Sequence, residues 1–175
     1  MTFAPPTAEA ELAALRALST ELGATTSEST LVARALDILG GLLPGRALCV
    51  RVLDIRTREP AHGYPRGAPL RPEALVEVLT ISELALVHAR LSSAVAASAR
   101  LVIRDRWDSP FTGVATGFAV PLAAAGELYG VLDVGYAPGA DARGGDEPAA
   151  RAFAAHLALA LRNRRLADDA LGLRD

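Results

Sequence analysis

The stretch VATGFAVPLAAAGELYGVLDVGY, residues 114–136, reads as two strands joined by a turn at AAAG, residues 123–126. Successive side chains of a strand point to opposite faces of the sheet. One face of this hairpin is therefore predicted to be bulky and apolar, with Phe118, Val120, Leu122, Leu132 and Val134. The other face is predicted to carry small residues together with Tyr129, Val131 and Asp133. The hairpin should pack against helices on the bulky face and leave space above the other. Val50 and Val52 of the stretch ALCVRVLD have the same period of two and should face the same helices.

Hydrophobic periodicity predicts helices near both ends of the chain and strands between them. The first predicted helix covers 7–22 and is ended by Gly23, and the second runs from a capping box at Thr25 and Glu28 to Leu43. Two shorter helices are predicted at 72–80 and at 84–99, although LALVHARL in the latter also fits a strand. The last helix is predicted from Pro148 to at least Leu166, with Asp146 or Glu147 at its N-cap. The predicted strands are ALCVRVLD at 47–54, a weaker one at 59–64, one at 100–105, and the two of the hairpin. Terminal helices around a central antiparallel sheet indicate an α+β domain.

Bulk composition narrows the class of protein. The 175 residues suit one domain, and 51% hydrophobic with 22% charged residues is ordinary for a globular protein. A net charge of −2 gives no general attraction for nucleic acid. The long uncharged stretch at 109–126 contains Pro, Thr and Gly and fits strands better than a membrane helix. With one cysteine and no signal peptide pattern, we expect a cytoplasmic protein without disulfides, membrane contact or nucleic-acid partner.

The element order and several local stretches resemble a GAF domain, the small-molecule sensor module of bacterial signalling proteins. GFAVPLAAAGELYGVLDV at 117–134 looks like the family's strand ending in Val-Pro-Leu, a short turn, and Gly-Val-Leu. LLPGRALCVRVLD at 42–54, LVIRD at 101–105 and FAAHLALALRNRRL at 153–166 fall where the family has a first strand, a middle strand and a terminal helix.

The resemblance implies a GAF-like α+β fold with a five- or six-stranded antiparallel sheet. The N- and C-terminal helices would lie on one face, and short helices and loops on the other. The whole chain, 1–175, is then a single domain with its core at about 27–166. Residues 1–26 form an N-terminal helix, and 167–175 extend the last helix.

Six residues are candidates for binding a ligand. Arg51 and Asp133 stand mid-strand among apolar neighbours, and the resemblance makes their strands adjacent. The pair is predicted to anchor a polar ligand, to form a structural ion pair, or to lie on a solvated face. Tyr64, Trp107 and Phe111 lie in predicted loops beside the sheet, where they would close over a ligand or fill the space themselves. Tyr129 completes the set on the predicted open face.

The remaining chemistry predicts no metal, no cofactor and no catalytic activity. His62, His88 and His156 lack metal-ligand spacing, although some GAF-like sensors bind haem and His88 is an alternative for that role. Cys49 is best interpreted as a small buried hydrophobe, since GAF-like sulfoxide reductases need several cysteines. The cyclic-nucleotide signature, phosphate loops and nucleophile motifs are missing.

The predicted function is a GAF-like sensor that relays its ligand state through the terminal helices to an effector such as a histidine kinase. The alternatives are a degenerate GAF domain that only dimerises, or a GAF-fold redox enzyme. We also predict a parallel homodimer of the first and last helices. Its seam would use apolar residues that the core leaves free, namely Leu12, Leu15, Leu22, Leu159, Leu166, Ala170 and Leu173.

Overall fold

A computed structural model describes residues 7–24, 27–54, 60–72, 74, 109–140 and 145–172 of the chain. In these ranges the elements, in chain order, are α1 (Ala8–Ala24), α2 (Glu28–Leu42), β1 (Arg46–Leu53), β2 (Pro60–Arg66), β3 (Thr116–Ala124), β4 (Glu127–Tyr136) and α3 (Asp146–Ala170). The helix predicted at 84–99 and the strand predicted at 100–105 lie outside the described residues, and the helix predicted at 72–80 is described only at 72 and 74. None of the helices in the described ranges is long and apolar enough to cross a bilayer.

The described strands form one antiparallel sheet of four, in the order β2-β1-β4-β3. The predicted number was five or six, so the described part of the chain contains fewer strands than expected. The α+β arrangement is as predicted, and β1 and β4 are neighbours at the centre of the sheet. This adjacency places the middle of the first strand beside the middle of the last.

One face of the sheet is covered by α2 and α3, and α1 packs on these two helices. The strand residues predicted to face the helices share one hydrophobic core with residues of α1, α2 and α3, and they are Val50, Val52, Phe118, Val120, Leu132 and Val134. The register predicted from the period of two is therefore confirmed on this face. We call it the helix face, and the opposite side of the sheet the second face.

α1 and α2 differ from their predictions in detail. α1 continues through Gly23 to Ala24, since one glycine near a helix end costs only about 1 kcal/mol. The N-cap of α2 is Ser27, in extended conformation, whose Oγ accepts the Thr30 amide hydrogen at 3.2 Å. This bond replaces the capping box predicted at Thr25.

One of the α1 leucines predicted to form the dimer contact packs inside the domain instead. Leu15 packs against the core of the helix face, and Leu18, which was not part of the seam, is fully buried in it. Leu12 is 49% exposed, as a seam residue should be. The side chain of Leu22 lies outside the described residues. α1 therefore offers less free apolar surface than its spacing suggested.

α3 starts earlier than predicted. Its N-cap is Gly145, and the expected cap residue Asp146 is already inside the first turn. The Asp146 carboxylate accepts a hydrogen bond from Arg46 at the start of β1, with Arg46 Nε at 3.0 Å from Oδ2. This buried ion pair joins the first turn of α3 to the sheet.

The β3–β4 turn has an unusual residue at its first central position. Ala125 and Gly126 both have positive φ, 52° and 81°, which is the pattern of a two-residue type I′ hairpin turn. Alanine is strained there, because its Cβ approaches the backbone in the left-handed region.

Ala125→Asn should therefore raise the free energy of unfolding by about 0.5–1 kcal/mol in denaturant titrations. Ala125→Val, the control, should lower it; a stabilising valine would contradict the turn geometry.

Candidate functional site

The second face carries the charged residues that the sequence singled out. β1 contributes Cys49 and Arg51 to this face, and β4 contributes Val131 and Asp133. Cys49 is directly opposite Asp133, and Arg51 is opposite Val131, so Arg51 reaches Asp133 along the diagonal between the two strands. The period of two thus brings both charges to the same side.

Arg51 and Asp133 form a bidentate ion pair with no exposure to solvent. Arg51 Nε donates to Asp133 Oδ2 at 2.8 Å, and Arg51 Nη2 donates to Oδ1 at 2.9 Å. Both side chains are 0% exposed. The predicted contact on the face opposite the helices is confirmed.

The same guanidinium also holds a segment that lies above the sheet. Arg51 Nη1 donates to the carbonyl oxygen of Ala74 at 2.8 Å, and Ala74 is fully buried. Each of the three guanidinium nitrogens therefore binds a protein atom. We call this arrangement of Arg51, Asp133 and the Ala74 carbonyl the clamp. Its geometry is that of a buried ion pair, so the alternative of a pair on a solvated face is wrong.

Two short segments pair with each other near the clamp. The Arg71 amide donates to the Pro110 carbonyl at 2.8 Å, and the Thr112 amide donates to the Pro69 carbonyl at 2.9 Å. Residues 69–72, 74 and 110–112 are called the cover from here on. The cover and the clamp connect two parts of the chain, far apart in sequence, to one side of the sheet.

Phe111 of the cover packs onto the second face. It is 1% exposed and clusters with Ala47 and Cys49 of β1. Gly135 allows the ring to approach closely, because a Cβ at that position would lie 3.1 Å from Phe111 Cδ2. Of the two roles predicted for Phe111, the structure shows the one in which the ring fills space.

Cys49 is a poor nucleophile in this environment. It is completely buried, beside Asp133 and Arg51. Burial, and after it the negative charge of Asp133, raise the pKa of the thiol well above its usual range. The thiol therefore stays protonated at neutral pH, as expected for a small buried hydrophobe.

Two candidate ligand residues lie on the wrong face. Tyr64 ends the strand predicted at 59–64 and was grouped with the loop aromatics, but it lies inside β2, directly opposite Val50, and packs against the core of the helix face. Burial raises its pKa, with a smaller contribution from the negative charge of Glu28. Residues that face each other across two strands share a side, so Tyr64 is separated from the clamp by the sheet.

Tyr129 was expected beside Asp133 and lies on the helix face instead. The pairing steps from Leu122–Gly130 to Ala123–Leu128, which leaves Tyr129 as the extra residue of a β-bulge and breaks the alternation. Its hydroxyl donates to Glu127 Oε2 at 2.8 Å. Burial, and then this hydrogen bond, raise the pKa of Tyr129 to about 12. The last candidate, Trp107, lies outside the described residues.

Two further buried arginines were missed by the sequence analysis. Arg46 pairs with Asp146, Nη2 to Oδ2 at 2.8 Å, and its guanidinium carbon lies 4.5 Å from the centre of the Tyr136 ring. Arg165 of α3 donates from Nε to Glu28 Oε2 at 3.0 Å. The burial of Arg165 could have been predicted from the sequence, because Arg165 follows Leu157 and Leu161 at intervals of four and therefore lies on the same side of the helix.

Arg165 also connects α3 to the end of β1. Its Nη2 donates to the carbonyl oxygen of Leu53 at 2.8 Å, and its guanidinium carbon lies 5.4 Å from the centre of the Tyr129 ring. Leu53 is two residues after Arg51 in the same strand. One strand therefore links the clamp on the second face with the terminal helix on the helix face.

Metal chemistry finds no support in the part of the chain that the structure describes. No group of three or more His, Cys, Asp or Glu side chains comes together there. His62 and His156 are exposed and lie in β2 and α3. His88, the alternative haem ligand, is outside the described residues.

Comparison with known proteins identifies the fold. No protein-family model and no curated protein matches the chain. Among solved structures, the GAF domain of a phosphoenolpyruvate-protein phosphotransferase from Coxiella burnetii is similar with a TM-score of 0.66 and 15% identity, over 93% of this chain and 99% of that one. The GAF domain of a putative sensor histidine kinase from Pseudomonas syringae pv. tomato gives 0.59 and 18%, over 95% and 94%. Free methionine-R-sulfoxide reductase from Neisseria meningitidis, solved with its substrate, gives 0.61 and 14%, over 95% and 98%.

Proposed function

Because this chain has the GAF fold, we propose that it is the small-molecule sensor domain of a bacterial signalling protein. The fold is shared with GAF domains of a sensor histidine kinase and of a phosphotransferase. The observation that carries the proposal is the clamp. Arg51 and Asp133 are both 0% exposed and join the sheet to the cover through the Ala74 carbonyl. In this proposal, a ligand held between sheet and cover displaces the contact between Arg51 and the Ala74 carbonyl.

The proposed role is regulatory, without catalysis. One neighbour of the same fold is a reductase, so the fold alone does not decide between the classes. The single cysteine here is fully buried, and its raised thiol pKa opposes the thiolate that cysteine chemistry requires. These properties favour a binding domain over a thiol-based redox enzyme.

The signal is proposed to pass through β1 to α3. A displacement of Arg51 moves the strand that ends at Leu53, and the Leu53 carbonyl accepts a hydrogen bond from Arg165 of α3. Beyond Arg165, the exposed Leu166 begins the part of α3 that the sheet does not cover. In a homodimer that pairs through this helix, the displacement would shift the two helices relative to each other. An effector such as a histidine kinase, coupled to these helices, would respond to that shift.

The proposal is tested by asking whether a metabolite binds and whether the clamp responds. The purified chain is analysed by native mass spectrometry for a retained small molecule, and by thermal unfolding against a metabolite panel. We expect at least one compound to raise the melting temperature without being turned over. In the double variant Arg51→Met/Asp133→Leu, which replaces the clamp with apolar side chains, that increase should be lost. Turnover would favour the enzyme alternative, and the absence of any bound or stabilising compound would favour the dimerisation module.

A further inference from the structure

The clamp is neutral as a whole, although its two charged groups lie in the interior of the domain. The positive guanidinium of Arg51 and the negative carboxylate of Asp133 are both 0% exposed. Asp133 binds two of the guanidinium nitrogens, Nε and Nη2. The third, Nη1, donates to the Ala74 carbonyl oxygen, which is uncharged. The buried charges therefore sum to zero, and the acceptor at Nη1 leaves that sum unchanged.

The strand residues beside the clamp add no further charge. On the second face, directly paired residues form two rows across the four strands. The row of Arg51 is completed by Gly63, Val131 and Pro121, and the row of Asp133 by Pro65, Cys49 and Ala119. None of these six residues is charged at neutral pH, since the Cys49 thiol stays protonated. A molecule that lies on the two rows therefore meets small or apolar groups and a guanidinium that is already paired.

Arg71 is the charged residue of the cover. Its Nε donates to the Ser109 carbonyl oxygen at 2.6 Å, and its side chain is partly buried. Water and salt screen a charge that is open to solvent far more than they screen the charges of the clamp. Arg71 therefore offsets little of the cost of an extra negative charge placed against Arg51.

A ligand that displaces the Ala74 carbonyl has to supply its own acceptor to Arg51 Nη1. The oxygen of an amide, a lactam or a ketone does what the Ala74 carbonyl does, and the buried charges still sum to zero. A carboxylate or a phosphate adds a negative charge to a guanidinium that Asp133 has already neutralised. That added charge is buried without a partner, which is strongly unfavourable because water cannot solvate it there.

We propose that the ligand of this domain binds Arg51 Nη1 through an uncharged acceptor oxygen, such as that of an amide, a lactam or a ketone, and that the clamp rejects carboxylates and phosphates. The inference rests on the sensor function proposed above and adds the chemical class of the ligand. The apolar rows beside the clamp suit a ligand whose remaining surface on this side is apolar.

Matched amides and carboxylates test this charge preference on the native chain. The probes are propionamide, isobutyramide and benzamide, and each is compared with the carboxylate of the same skeleton, namely propionate, isobutyrate or benzoate. Thermal unfolding and titration calorimetry at neutral pH measure binding. In the pair whose size fits, the amide should bind at least about tenfold more tightly, because the carboxylate brings a second negative charge to the clamp.

Asp133→Asn should reverse the preference. This substitution keeps the shape of the side chain and removes its charge, so the clamp carries a net positive charge. A carboxylate then supplies the missing charge and should raise the melting temperature of the variant more than its amide does. Arg51→Met/Asp133→Leu, which has neither the charges nor the Nη1 donor, is the control and should bind neither probe. The comparison on the native chain decides the inference even where Asp133→Asn fails to fold.

The outcomes separate the charge preference from the sensor function. Tighter amide binding that is lost in the double variant supports the inference. A carboxylate that binds the native chain as tightly as its amide overturns the preference and leaves a sensor. An amide that binds the double variant equally well also overturns it, since that amide lies away from the clamp.

If none of the six probes binds, the compound that native mass spectrometry finds on the purified chain takes their place. An uncharged compound that the double variant does not retain supports the inference, and an anion overturns it. A chain that retains no compound and binds no probe overturns the inference together with the sensor function.

Discussion

Asp133→Ala should lower the free energy of unfolding by about 3 kcal/mol or more. The substitution leaves the Arg51 guanidinium, 0% exposed, without its carboxylate in the interior of the domain. An unpaired buried charge costs far more than the lost attraction, because water cannot replace the partner. Chemical denaturation followed by circular dichroism measures the loss, with an unchanged m-value showing that the native and unfolded states keep their compactness.

A second arginine–aspartate pair of this chain provides the control. Arg66 and Asp37 are 3.1 Å apart, Nε to Oδ1, but their side chains are 40% and 75% exposed. Asp37→Ala should therefore cost less than about 1 kcal/mol. Arg51→Met/Asp133→Leu should recover most of the stability lost in Asp133→Ala, because it removes both charges. Equal losses for Asp133→Ala and Asp37→Ala would show that the clamp is hydrated in solution.

Hydrogen exchange connects this loss with the proposed sensing role. The Arg71 and Thr112 amides donate across the cover, which contacts the second face through the Ala74 carbonyl and the packing of Phe111. In Asp133→Ala these two amides should lose protection before the amides of β3 do. Simultaneous loss across the sheet would mean that the cover has no independent motion, and would weaken the proposed signal path.

The faces of the sheet were predictable from the sequence where the strands are regular. Val50 and Val120 were assigned correctly, because alternation has a fixed period and the helix face is strongly apolar. The same rule failed at Tyr129, since a single extra residue in β4 turns its side chain to the other side. The face of Tyr64 was mispredicted for another reason. Tyr64 lies on the helix face because it pairs with Val50, and the pairing of two strands cannot be derived from the sequence of one of them.

The pairing of buried charged residues is even harder to predict from the sequence than the faces of the strands. Arg51 and Asp133 could be suspected because both interrupt apolar runs, and a strand neighbour was implied for each. Arg46 is the first residue of β1 and Asp146 is the first residue of α3. Charged residues are common at both kinds of position, so the local sequence pattern gives no reason to pair them. Only the fold brings these two residues together, 100 positions apart in the chain.

Asp146→Ala is the second substitution with a large expected effect, again about 3 kcal/mol of unfolding free energy. Asp146 is 1% exposed, and both Nε and Nη2 of Arg46 lie within 3.0 Å of its Oδ2. The pair fastens the first turn of α3 to the first residue of β1. Its loss takes this carboxylate away from an arginine that is 5% exposed and lies beside the Tyr136 ring, and removing one member of a buried ion pair is strongly destabilising.

Glu147→Ala separates this ion pair from the general effect of acidic residues at a helix start. Glu147 is the next residue of the same turn, so it has a comparable interaction with the helix dipole. It pairs with Arg151 on the same helix, and the side chains of Arg151 and Glu147 are 36% and 17% exposed. Removing Glu147 should therefore cost less than about 1 kcal/mol, and the difference between the two variants measures what burial adds. Similar losses would mean that the helix dipole, and not the link between α3 and β1, accounts for Asp146. A much larger loss at Asp146 would show that the helix proposed to relay the signal is held to the sheet at its start by the ion pair with Arg46.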